Sequence, residues 1–352
     1  MNAAPRPVRS LLSIAIVAVF ALPTPGLAQN IDRIAFGSCG NQDKPQPIWA
    51  PILADAPDVF LFLGDNVYAD TDDPAQLQAS YDKLRQIPGF QKLMANTTVM
   101  AIWDDHDYGQ NDIGRDYVAK EASRRILLDF FNEPEDSERR TRPDGIYTAQ
   151  IVGDQGRRVQ IILLDLRWNR TNLPELASPE QLAWREAMRM GPYDASLGID
   201  ANLLGESQWQ WFEEQLQQDA DLRIIGSSIQ LLPEFTGWET WANYPRDRLR
   251  FFELLERHQS EPILILSGDV HWAEYSEIRH GGLPWPLLEL TSSGLTEEWK
   301  DISPNRHRVG DAFAVANYGL VDIDWSGETP EVTLRIKDED GKVLIERVAD
   351  FR

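Results

Sequence analysis

The residues able to do chemistry in this chain stand in short polar stretches, each following an apolar run. IDRIAF is followed by GSCG, with Cys39. VFLFL is followed by GDNVYAD, with Asp65, Asn66 and Tyr68. TVMAIW leads into DDHDYGQND, with Asp104, Asp105, His106 and Asn111. VQIILL leads into DLRWNR, with Asp165, Arg167 and Arg170, and LRIIG into SSIQ. ILIL ends in SGDVHWAE, with Asp269 and His271. Two carboxylates, a phenol, an imidazole and a thiol make a mixed oxygen, nitrogen and sulfur ligand set. A dinuclear centre needs a carboxylate that bridges two cations and further ligands on each side. Deprotonated phenol and thiol together favour a strong Lewis acid such as ferric iron. Asp105 and Asp269 offer oxygen only, which suits a divalent partner such as calcium, magnesium or manganese.

Each residue alone has a plainer reading. An Asp after a strand is a common turn residue, Tyr68 fits a core, His271 fits a structural hydrogen bond, and Cys39 is a small buried hydrophobe. The ordered combination is what points to a metal pair. Arg167 and Arg170 follow a strand end, where an arginine reaches a phosphate or pairs with an acid. Arg167 and Asn66 are taken as the substrate-binding candidates. Trp238, Trp241 and Trp272 suit core packing, with an apolar wall for an alcohol or lipid group as the alternative.

These residues need elements to hold them. The apolar runs are nearly continuous, as in strands buried on both faces. ESQWQWFEEQLQQ places Trp209, Phe212 and Leu216 on one helical face, and RDRLRFFELLERH does the same for Leu249, Phe252 and Leu255. NYGLVDIDW and PEVTLRIKDEDGKVLIE read as antiparallel strands with DEDG as a turn. The polar clusters then fall at carboxyl ends of strands, where α/β folds bind ligands. Gly64 and Gly268 are expected to give tight turns there. The irregular stretches 132–145 and 176–202 are expected at the rim of the site. The pattern is that of one large mixed α/β domain over residues 29–352.

The first 28 residues read differently. Arg6 and Arg9 precede an apolar run from Leu11 to Leu22, and Gly26 and Ala28 are small residues at a cleavage position. This predicts a secretory signal peptide over 1–28, and a periplasmic or secreted protein. Twelve apolar residues are too few for a span of roughly 20. Removing this leader takes away two arginines and no acid, so the net charge goes from -22 to -24. So acidic a surface disfavours nucleic-acid backbones and anionic membranes, while allowing a small phosphate ester held by local cations. A single cysteine excludes an internal disulfide. Oligomeric state is not legible.

GSC, GDNVYAD, WDDHDYGQND, LDLRWNR, ETWANYPRDR and SGDVHWAE occur in this order, and together they resemble the PhoD-like branch of the metallophosphoesterases, the alkaline phosphatase D family. That family is related to the purple acid phosphatases in its ferric site. The resemblance runs from about Ile31 to the C-terminus. It implies a four-layer α/β/β/α sandwich with two mixed β-sheets and a phosphoric ester hydrolase. Carried over, Cys39, Asp65, Tyr68 and His271 would hold Fe3+, with Asp65 bridging. Asp105 and Asp269 would hold Ca2+, with Mn2+, Mg2+ or Zn2+ as alternatives, and Asn111 would be a further ligand or sit just outside. His106 would stand by the substrate and protonate the leaving oxygen. The implied activity is hydrolysis of phosphate mono- or diesters outside the cytoplasm by attack of a metal-bound hydroxide. A phospholipase-type or wall-polymer phosphodiesterase is the alternative within the fold. A ferric redox enzyme and a non-catalytic exported metal- or phosphate-binding protein are the competing classes.

Overall fold

The computed structural model describes residues 30–258, 261–327 and 329–351. The expected leader lies outside them. The described strands, in chain order, are β1 Arg33–Gly37, β2 Val59–Leu63, β3 Thr98–Ile102, β4 Thr148–Val152, β5 Val159–Leu163, β6 Leu222–Ser227, β7 Ile263–Ser267, β8 Ala273–Ile278, β9 Leu287–Ser292, β10 Asn317–Asp324, β11 Glu331–Asp338 and β12 Val343–Val348. They form two six-stranded sheets, β12-β11-β10-β1-β2-β3 and β4-β5-β6-β7-β9-β8. In the first, β1, β2 and β3 are parallel and β10 to β12 are antiparallel. In the second, β5, β6, β7 and β9 are parallel, with β4 and β8 as antiparallel edges.

The continuous apolar runs are explained by burial on both faces. Side chains along a strand alternate between faces. Ile161, Leu163, Ile224, Leu264 and Leu266 therefore join Phe36, Leu61 and Leu63 in a core between the sheets. Their neighbours Ile162, Leu164, Ile225, Ile263 and Ile265 pack outward with Trp209, Phe212, Phe251 and Leu255 of the helices Glu206–Leu216 and Pro245–Arg257. On the other flank, Trp49 of the helix Trp49–Asp55 meets Phe60 and Phe62 of β2 with ring centroids 5.9 and 6.0 Å apart. Each fully buried Leu, Ile or Phe contributes about 1.5–3 kcal/mol. Helices thus cover both outer faces of a double sheet, as the sequence implies. The strands β11 and β12 pair as expected across the DEDG turn.

One helix is rotated from its expected setting. Leu249 is 55% exposed, and Phe251, Phe252, Leu254 and Leu255 form the buried stripe. Arg248 accounts for the shift. Its guanidinium donates to the carbonyls of Leu231 and Leu232 at 2.9 and 3.0 Å and takes an inward position.

Candidate active site

The carboxyl ends of β1, β2, β3, β7 and β9 converge. Gly64, after β2, has φ +103°, and a Cβ there would lie 2.5 Å from Asp104 Cβ and 2.8 Å from Asp104 N. Only glycine lets the ends of β2 and β3 come this close. Gly268 serves differently from the expected turn. Its φ is not in the left-handed region, and its need is space: a Cβ would meet Ser38 Oγ at 2.3 Å. That contact brings the end of β7 onto the end of β1.

The residues after these strands are bent. Nine non-glycine residues in the described chain have positive φ, and Cys39, Asp65, Asp112, Asp269 and His271 are among them. Such conformations cost of order 1–3 kcal/mol each and cluster at functional sites. Local hydrogen bonds hold them. Gly40 N–H donates to Asp65 O at 2.9 Å, and Trp299 N–H to His271 O at 3.0 Å. His271 N–H donates to Ser293 Oγ at 2.8 Å, and Asp112 N–H to Asp105 Oδ2 at 2.7 Å.

The side chains form adjoining clusters. Within each of four groups the potential ligand atoms lie within 4.8 Å of one another: Cys39, Asp65 and His271; Asp65, Asp105 and His106; Asp104, Asp105 and Asp269; Asp105, Asp112 and Glu239. Tyr68 joins the first, its hydroxyl 3.2 Å from Asp65 Oδ2 and 2.9 Å from His271 Nε2. A cavity of about 190 Å³ opens over them, and its lining includes Asp65, Asp105, His106 and Asp269 together with Trp238, Trp272 and Trp299.

The electrostatics fit bound cations. Burial, then Asp105, pushes the Asp65 carboxyl well above its ordinary value. Burial and Asp104 do the same to Asp269. Burial and Asp65 raise the Cys39 thiol, and burial and Cys39 raise the Tyr68 phenol. Burial lowers His271 to about 4, which keeps the imidazole neutral, the form that binds a metal. Asp105 differs: burial opposes its charge, but Arg167 and His106 outweigh burial and hold its carboxyl below the ordinary range. Asp104 Oδ2 and Asp105 Oδ1 are buried without a hydrogen-bond partner among the described residues. Crowded acids with orphaned oxygens are a donor set short of positive charge, and a cation inverts that logic.

His106 is held from two sides. Its Nδ1 lies 2.7 Å from Asp70 Oδ1, and its ring lies 4.2 Å from that of Tyr68. Burial would lower its pKa, but Asp65 and Asp70 push it up to about 11.

Cys39, Asp65, Tyr68, Asp105, His106, Asp269 and His271 are thus brought together, and Asn111 lines the cavity, its Nδ2 donating to Asp112 Oδ2 at 2.7 Å. The two substrate-binding candidates sit elsewhere. Arg167 is fully buried, with Nε 2.5 Å from Asp104 Oδ1, Nη2 2.6 Å from Glu239 Oε2 and 3.5 Å from Asp105 Oδ1. Its charge is committed to acids beneath the site. Asn66 donates to Ile102 O at 2.9 Å and to Asp107 Oδ2 at 2.5 Å, cross-linking β2 to the segment after β3. Trp241 is core, with Nε1 3.0 Å from Ser227 Oγ, whereas Trp238 and Trp272 line the cavity.

Residues 34–298 match the PhoD-like phosphatase family. The chain belongs to that family. The fold agrees: a solved structure of PhoD superposes with a TM-score of 0.65 at 15% identity, covering 94% of this chain and 74% of that one. GAP50, the anchor in the inner membrane complex of Plasmodium, shares the fold at a TM-score of 0.54 and 10% identity, over 92% of this chain and 90% of that one. A tRNA(Ile)-lysidine synthase from Francisella tularensis is 27% identical over 115 residues, 26% of this chain. The chain spans 28% of the length of that relative. No described helix of this PhoD-like phosphatase is long and apolar enough to cross a membrane.

Three residues at the site were missed in the sequence. Asp112 lies beside Asn111 in DDHDYGQND and was passed over for its neighbour. Glu239 arrives from the ETWANYPRDR motif, and Trp299 from beyond β9; neither follows an apolar run, the signal that marked the others.

Proposed function

We propose that this protein is an exported phosphoesterase working through an iron and calcium pair. One observation carries the reading: the ligand clusters adjoin, sharing Asp65 and Asp105. Cys39, Asp65, Tyr68 and His271 combine thiolate, carboxylate, phenolate and imidazole, and would hold Fe3+. Asp65, Asp105 and Asp269, with Asn111 at the rim, offer only oxygen and would hold Ca2+. When bound, the cations supply Lewis acidity to the phosphoryl group and acidify water.

The chain's own part is positioning and proton transfer. Asp65 sits between the two ligand groups and fixes their separation. Arg167 neutralises Asp104 and Glu239, so Asp105 stays ionised and aimed at the site. Asp70 holds His106 at Nδ1, which leaves Nε2 to face the ester. As water adds to phosphorus, losing a proton to solvent, and the phosphorus–oxygen bond to the alcohol breaks, Nε2–H protonates the leaving oxygen. Substituting His106→Ala should lower kcat by about 10²–10⁴-fold with metal content unchanged, read by steady-state kinetics beside elemental analysis. Export is supported by residues 1–28, and the mature chain should begin at Gln29 on N-terminal sequencing.

The testing experiment compares initial rates on p-nitrophenyl phosphate and bis-p-nitrophenyl phosphate, with iron- and calcium-loaded and chelator-treated protein. Metal-dependent turnover of either ester supports the reading. Absence of turnover of both by loaded protein overturns it in favour of a binding protein.

A further inference from the structure

The cavity over the acids does not end at a closed wall. A second groove, of about 670 Å³, begins where it ends. The two spaces share Trp238 and Trp299. Resting on the phosphoesterase reading above, we propose that this groove is the subsite for the organic group of the ester. It selects phosphate esters of extended apolar or aryl alcohols, with Trp238 and Trp299 as the specificity-determining residues.

The groove is built rather than incidental. Trp299 hangs from the site itself, through its N–H to His271 O at 3.0 Å. Trp238 immediately precedes Glu239, which pairs with Arg167 and Arg170. The two rings meet edge to face at 5.9 Å and 75°. The far wall is the helix Pro179–Ala187 and the residues after it, Met190 among them. It is tied to the near wall by Gly191 N–H to Thr236 O at 3.0 Å and Tyr193 N–H to Gly237 O at 2.9 Å. Gly191 allows this closeness, because a Cβ there would sit 2.3 Å from Gly237 O.

The chemistry of the lining fixes the class of occupant. Leu182, Met190 and Pro192 face the space with the two indoles. Charged groups of both signs line the groove as well: Arg185, which donates to the carbonyls of Gly191 and Tyr193, Arg189, 3.9 Å from Asp301, and Glu186. Among the described residues, no Lys or Arg lines the cavity itself. A neutral apolar extension of the substrate would cover Trp299, which is 43% exposed at the mouth of the site. A large exposed indole beside a functional cavity is the kind of apolar surface that marks a binding groove.

The test is calorimetric binding of methyl-, butyl-, hexyl-, octyl- and phenylphosphonate to metal-loaded protein. Affinity should rise about two- to fourfold per added CH2 until the groove is filled, and phenylphosphonate should bind more tightly than methylphosphonate. In Trp299→Ala and Trp238→Ala the octyl-to-methyl affinity ratio should fall at least about tenfold. Met190→Asp, across the groove, should flatten the series in the same way without touching either indole. Equal binding of all chain lengths, or a slope that survives the three variants, overturns the groove assignment and leaves the phosphoesterase reading standing. Failure of any phosphonate to bind overturns the active-site reading, and this one with it.

Discussion

Asp65→Asn should lose metal and turnover together while keeping its fold. The reason is local. Asp65 has φ 50°, a conformation that Asn also tolerates, so the backbone need not move. What changes is charge and acceptor capacity at the one side chain shared by the cluster of Cys39 and His271 and the cluster of Asp105 and His106. Asp65 Oδ2 lies 3.4 Å from Cys39 Sγ and 3.2 Å from the Tyr68 hydroxyl, while Oδ1 lies 3.4 Å from the His106 backbone nitrogen. An amide presents one oxygen and no charge there. The expected loss is about 10³-fold in kcat/KM, with a fall in bound metal by elemental analysis and an unchanged circular dichroism spectrum. The metal-free proteins should separate in a second way. In the wild type, burial and Asp105 raise the Asp65 carboxyl above its unfolded value. The folded state then holds that proton more tightly than the unfolded chain, and the contribution is lost as pH rises. Asn has no proton to lose, so the metal-free variant should gain on the wild type in thermal stability between acid and alkaline pH. Full metal content and full rate in Asp65→Asn would sink the proposed site.

Arg167→Met should be the most destabilising single change at the site. The guanidinium is fully buried among Asp104, Asp105 and Glu239. Removing one partner of a buried ionic network leaves uncompensated charge and costs about 3–5 kcal/mol. Asp104 would then lose its cation, Glu239 would be left with Arg170 alone, and Asp105 would lose the main influence that keeps it ionised. For a chain of this size the melting temperature should fall by about 5–15 °C. Metal affinity should fall with it. Arg167→Lys should rescue little, because a point charge on a flexible stem cannot meet three carboxylates as a planar fork does. A variant with wild-type melting behaviour and a raised KM alone would return Arg167 to the substrate.

The contrast between Arg167 and Asp65 shows what was readable in the sequence. Both follow buried strands. Asp65, Asp105, Asp269 and His271 were legible because a strand end in this fold has one direction, toward the cluster. Arg167 reads in the sequence as a phosphate ligand, whereas its long side chain reaches back beneath the acids to Glu239, which comes from a loop with no strand signal. Leu249 was misplaced for a related reason: helical spacing defines a stripe, but Arg248 bonding to two carbonyls decides which way the stripe turns. Trp299 is held at the site by a backbone hydrogen bond to His271, a relation across 28 residues that no local pattern carries.

The left-handed backbone at Cys39, Asp65, Asp112, Asp269 and His271 has a bearing on how this centre can evolve. Those angles are tolerated by Gly, Asn, Asp and His, and resisted by side chains that branch at Cβ. A lineage drifting toward another metal therefore draws from a short alphabet, in which short polar side chains exchange readily and Thr, Val or Ile are vetoed before coordination is considered. The main chain, and not only the ion, narrows which substitutions can be sampled at these positions.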